Sequence, residues 1–100
     1  MTLLGKGNLN LVTRYGVKLT ILDSARKHGI SDDDTLKVIN DPTVSYLINS
    51  ETDKHLLLGF DTKARAIEVI TDTGMDGQVF VIHADKITKQ YEKLLEEVLK

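Results

Sequence analysis

His83 closes an apolar run, Val79-Phe80-Val81-Ile82-His83, and is the residue best suited to acid–base chemistry in this chain. An imidazole exchanges protons near neutral pH, and a strand end holds it at fixed geometry while leaving it reachable. Alternation puts Val79 and Val81 on the same side as His83, so the ring is expected on the apolar face of a sheet or at its edge; a purely structural histidine is the competing reading. A second group, Arg26-Lys27-His28, supplies an alternate base in His28 and cations in Arg26 and Lys27. It also suits the negative end of a helix dipole without any ligand. Arg65 opens a later apolar strand. Lys86 and Lys89 are expected in the first turn of the last helix, where positive charge opposes the dipole and a bound anion such as phosphate would compensate.

Cleavage of RNA without a metal needs a base near the ribose 2′-hydroxyl, cations over the phosphate oxygens and an acid for the departing 5′-oxygen. Histidine, arginine and lysine suffice for this. Other chemistries find no support. The absence of cysteine removes disulfides and thiolate nucleophiles, and His28, His55 and His83 are too widely spaced to form a metal motif. No phosphate-binding loop or calcium loop is present, and no cofactor or metal is expected. Net charge is −2, with 13 Lys+Arg against 15 Asp+Glu, so any attraction for nucleic acid or an acidic membrane must be local. Tyr15, Tyr46, Phe60, Phe80 and Tyr91 mostly fall at apolar-pattern positions and read as core rather than as a base-stacking platform. The beginning MTLLGKGNLN lacks a signal-peptide core, and no run of 18 apolar residues occurs. A cytoplasmic, non-membrane protein is the expectation.

The elements that must position these residues follow from periodicity. Leu9, Leu11, Tyr15, Val17 and Leu19 alternate with polar residues as in a half-buried strand, with Gly16 breaking or bulging it. Thr20 is placed to cap a short helix, ILDSARKH, that Gly29 ends. Ser31 caps a second helix, with Asp32-Asp33-Asp34 in its first turn and Asp41-Pro42 beyond its end. Four strands follow: Val44 to Asn49, Leu56 to Phe60, Arg65 to Ile70 and Val79 to His83. The connections are short, which implies sequential antiparallel pairing. Ile87, Tyr91, Leu94, Leu95 and Val98 make an amphipathic stripe on a last helix, capped by Asp85 or Thr88. The expected fold is α+β: an antiparallel four-stranded meander, five-stranded if the N-terminal stretch adds an edge, packed against two short N-terminal helices and one amphipathic C-terminal helix. One domain is expected over residues 1–100, with residues 1–18 as an extension or edge strand.

The strings SARKHGIS, the DP after the second helix, LLLGFDTKARAIEVI and VIHADKITKQYEKLL resemble the BrnT-like branch of the RelE/ParE toxin superfamily, over roughly Leu19 to Leu95. The resemblance implies a compact α+β toxin of a type II toxin–antitoxin pair. Such a toxin cleaves mRNA as a metal-independent ribonuclease and is held in a cytoplasmic complex by a cognate antitoxin protein. It maps the KHG corner onto Lys27, His28 and Gly29, the strand arginine onto Arg65, and the strand-to-helix corner onto His83, Ala84, Lys86 and Lys89. Family members are commonly basic with arginines at that corner, whereas this chain is slightly acidic and has lysines. The expected site therefore comprises His83, His28 and Arg65 as catalytic residues, with Lys27, Arg26, Lys86 and Lys89 on phosphate. The alternative is a non-catalytic interaction module, or an inactive toxin relative, that binds a partner peptide at a groove or strand edge, with Leu9 to Val17 as the edge.

Overall fold

A computed structural model describes residues 8–13 and 16–100. It contains one six-stranded mixed sheet with a helix on each face. The strands are β1 (Leu9–Val12), β2 (Lys18–Ile21), β3 (Val44–Asn49), β4 (Lys54–Phe60), β5 (Ala66–Thr73) and β6 (Val79–Lys86). The helices are α1 (Asp32–Asn40) and α2 (Lys89–Leu99). Strand order is β1-β2-β6-β5-β4-β3. The expected meander is present as β3 to β6, all antiparallel, but it is only part of the sheet.

The N-terminal stretch forms two strands rather than one. β1 and β2 make an antiparallel hairpin, and β2 then docks parallel to β6, pairing Leu19 with Val79 and Ile21 with Val81. Gly16, at φ 80°, lies between the two strands in a conformation costly for residues with a Cβ. Arg14 and Tyr15, read as part of a single strand, lie outside the described residues, as do the first seven residues of the expected extension. Hydrophobic alternation is the same for one bent strand as for a hairpin, so it did not distinguish them.

The first expected helix is likewise corrected. Ile21 is the last residue of β2 and is almost fully buried, and Leu22 N–H continues toward β6 by donating to the Val81 carbonyl at 3.1 Å. Only Asp23–Arg26 winds, as a 3₁₀ turn. Burial of Ile21 in the sheet outweighed the weak preference of a short segment for helix. Ser31 does cap α1, its Oγ accepting from Asp34 N–H at 3.1 Å. The acidic first turn is more than a dipole match. Asp32 pairs with Arg26, and Asp34 accepts from Thr62 N–H and Oγ–H, tying α1 to the β4–β5 turn.

Adjacent residues of β4 point into different cores. Leu57, with Ile67, Val69, Val81, Ala84, Leu19 and Ile21, packs against Val38 of α1. Leu56 and Leu58, with Val44 and Ile70, pack against Leu95, Tyr91 and Leu94 of α2. The apolar run in β4 therefore marks a strand covered on both sides.

Candidate active site

The site is built where β6 outruns β2. Pairing between those strands ends at Ile21 and Val81, but β6 continues to Lys86. The segment after β2, through the 3₁₀ turn to Gly29, packs against this remaining length of β6, with Ala25 buried. Gly29 has φ 80° and its N–H donates to the Arg26 carbonyl at 3.0 Å, turning the chain immediately after His28.

A register shift in β6 re-aims His83. Thr71 pairs with Val81 but Ile70 pairs with His83, so Ile82 is the extra residue. Bulges of this type bend a strand and reverse the side on which later residues emerge. Val81 and Ala84 face the α1 core, whereas His83 lies across from Ile70 on the α2 side. The expectation that His83 shares a face with Val79 and Val81 is thus corrected, and the ring is not at the strand end but within the strand.

There His83 Nε2 lies 2.8 Å from Oε2 of Glu68, which is only 3% exposed. The other carboxylate oxygen, Oε1, accepts Thr88 N–H at 2.6 Å. Thr88 is the N-cap residue of α2 and has no side-chain cap bond of its own. One buried acid therefore fixes an imidazole and closes a helix N-terminus. It also supplies the anion that the dipole of α2 favours.

His28 approaches from the other layer. Its ring stands edge-on to that of His83, with centroids 5.5 Å apart and an interplanar angle of 72°. Its Nδ1 is 3.6 Å from Asp85 Oδ2, and Asp85 Oδ1 accepts Lys86 N–H at 2.7 Å. Both imidazoles are partly exposed, His28 at 36% and His83 at 26%. The two histidines that sequence reasoning singled out are thus brought together, each beside a carboxylate. Glu68 and Asp85 were missed. For Glu68 a signal existed: it is the one charged residue in the apolar run Ile67 to Ile70, in a strand buried on both faces.

The cations distribute differently. Lys27 adjoins His28 and is exposed; Lys86 is the last residue of β6 rather than part of the helix, and Lys89 begins α2, both exposed. Arg26 is engaged by Asp32 at 2.9 Å and 3.2 Å and by Asp23 at 3.4 Å. Its guanidinium is held to the positive state above all by the Asp32 hydrogen bond. Arg65 Nε donates at 2.7 Å to Asp61, whose side chain is fully buried. Burial pushes the Asp61 carboxyl up, but the Arg65 N–H and guanidinium and the Lys63 N–H outweigh it and leave it below its ordinary value. Arg65 precedes Ala66, whose carbonyl accepts Ile87 N–H at 3.1 Å, so its backbone borders the β6–α2 corner. His55 is elsewhere, with Nδ1 3.6 Å from Asp53.

Among the described residues, no group of three or more His, Cys, Asp or Glu side chains is arranged to hold a metal, and no helix is long and apolar enough to cross a membrane. No family model, curated protein or solved structure matches the chain.

Proposed function

We propose that this chain is a metal-independent endoribonuclease acting on mRNA, the toxin of a cytoplasmic type II toxin–antitoxin pair. The observation that carries the reading is the edge-to-face pair of His28 and His83, drawn from opposite ends of the sequence and each set beside a carboxylate. Transesterification of RNA moves two protons, one off the 2′-hydroxyl and one onto the 5′-oxygen, and two imidazoles in opposite protonation states perform both. Glu68, accepting from His83 Nε2, leaves Nδ1 of that ring as the basic nitrogen, which takes the 2′-hydroxyl proton. His28, with Nδ1 toward Asp85, presents Nε2 to the leaving oxygen. Lys27, next to His28, and Lys86 and Lys89, at the end of β6 and the start of α2, neutralise phosphate charge, and the guanidinium N–H groups of Arg65 that Asp61 does not engage add to this before β5.

Controlled expression in a bacterial host, with mapping of new RNA 5′ ends, tests the reading. Growth arrest with discrete new ends is expected, lost in His83→Ala and in His28→Ala while both variants keep the native circular dichroism spectrum. Purified protein should cleave RNA equally well with and without EDTA. Arrest or cleavage that persists in both folded variants would remove the pair from the mechanism. Normal growth with intact RNA would favour the second reading, an interaction module, for which the exposed apolar strand β3 is the specific support.

A further inference from the structure

Among the described residues, strand β3 is the free edge of the sheet opposite β1, and it is the more exposed of the two. Only Val44 is buried; Tyr46, Leu47 and Ile48 are 44%, 53% and 43% exposed. Edge strands are ordinarily protected by charged side chains, proline or a bulge. β3 has no charged residue from Val44 to Asn49, and its bulge lies only at the far end, between Leu47 and Asn49. The regular part, Val44 to Leu47, therefore offers its outer backbone groups within an uncharged apolar strip.

The ends of the strip are acidic. Asp41 precedes it, and Glu51 and Asp53 follow it, all three exposed. Of the cations near it, Lys54 is half-buried and pairs in register with Asn49 and Asp72, and Lys37, one turn before Asp41, donates its ammonium to the Phe60 carbonyl at 2.7 Å. This charge pattern selects the occupant. A second copy of β3, antiparallel about the middle of the strand, would bring Asp41 of each copy beside Glu51 of the other; a parallel arrangement would set each acid beside its own equivalent. Like charges facing across paired strands are destabilising.

We propose that β3 binds, by strand addition, an extended polypeptide segment that is apolar at its centre and basic at both flanks. Main-chain hydrogen bonds supply affinity in such augmentation, while side chains over alternate positions supply selectivity. Tyr46 stands opposite Leu56 on the α2 side, so a partner residue there extends the α2-side core; Leu47, opposite His55, presents an exposed apolar side chain on the other face. The proposal does not depend on the ribonuclease reading.

The test uses two labelled synthetic peptides with the same Val-Thr-Val-Thr-Val centre, one flanked by paired lysines and the other by paired glutamates. Fluorescence anisotropy should show the lysine-flanked peptide binding at least about tenfold more tightly, a difference that shrinks with added salt. Amide shifts in a heteronuclear NMR spectrum should centre on β3. Leu47→Lys should weaken binding by about tenfold or more with little change in Tm, since Leu47 is exposed and a like charge would then face the basic flank. Equal binding of the two peptides, binding of neither, or shifts centred elsewhere would overturn the proposal. A concentration-dependent dimer of the free chain that Leu47→Lys dissolves would also overturn it, in favour of self-association.

Discussion

Glu68 illustrates how a single side chain acquires two structural tasks. A carboxylate has acceptor capacity for several donors, and Glu68 uses one oxygen for His83 and the other for Thr88 N–H. Among the described residues no buried side-chain polar atom lacks a partner, and Glu68 reaches that state by accepting from both groups at once. Glu68→Ala should cost about 1–3 kcal/mol in urea unfolding, from the lost acceptor of Thr88 N–H and of His83 Nε2, both partly open to water. Glu68→Gln is the more informative change, because it keeps the size while removing the charge. The amide then either donates to His83 Nε2 and reverses the tautomer, or accepts from it without stabilising the imidazolium. RNA cleavage, if the proposed reaction holds, should fall by about 100-fold or more, the scale expected when the partner orienting a catalytic imidazole is neutralised. Nitrogen-15 shifts of the His83 ring report the tautomer directly. Unchanged ring shifts and unchanged cleavage would reduce Glu68 to a helix cap.

At the scale of elements, the β4–β5 connection is a compact case of turn chemistry deciding geometry. Asp61 Oδ1 accepts the N–H groups of Lys63 and Arg65, each at 2.8 Å, while Oδ2 holds the Arg65 side chain. Ala64 is thereby held at φ 62°, a conformation that an alanine adopts only at some cost. Because the folded carboxyl sits below its ordinary value, Asp61 contributes stability above about pH 4 that is lost as pH falls through the folded value. Asp61→Asn should therefore lower Tm at pH 7, and the difference from the parent should narrow steadily below pH 4 in a series of thermal melts. A constant difference across the series would mean that hydrogen bonding, not charge, is what Asp61 contributes. This turn was legible in the sequence as Asp61-Thr62-Lys63, as were β3 to β6, α1 and α2, because each rests on local periodicity and capping. The parallel docking of β2 on β6 was not, since it joins residues from opposite ends of the chain and leaves no local period. The bulge at Ile82 was equally hidden, and it alone changed the face of His83. Nor did the apolar pattern of β3 disclose that Tyr46 would lie exposed at an edge, because pattern reports which residues favour burial, not which strand ends up outermost.

In the molecule as a whole, the candidate site lies at a corner to which both helical layers contribute. His28 arrives with the segment leading into α1, while Glu68 and His83 face the α2 side and Thr88 is the N-cap of α2. The two cores lie on opposite faces of the sheet, so they should be separable by mutation. Leu95 is the only buried residue of α2 and anchors it to Val44, Leu56 and Leu58; Val38 plays the corresponding part for α1 and is fully buried. Leu95→Ala should cost about 2–5 kcal/mol and Val38→Ala about 1–3 kcal/mol, through lost transfer energy and the cavity left behind. The decisive difference lies in local opening. Loosening α2 from the sheet frees Thr88 N–H from Glu68, whereas loosening α1 leaves that bond in place. Native-state hydrogen exchange should therefore show Thr88 protection falling through a local opening in Leu95→Ala, at denaturant concentrations where the β5 and β6 amides remain protected. In Val38→Ala, Thr88 should lose protection only in step with global unfolding. Identical behaviour in the two variants would mean that the faces unfold as one unit, and that α2 holds Glu68 and His83 in place by global stability and not through its own docking.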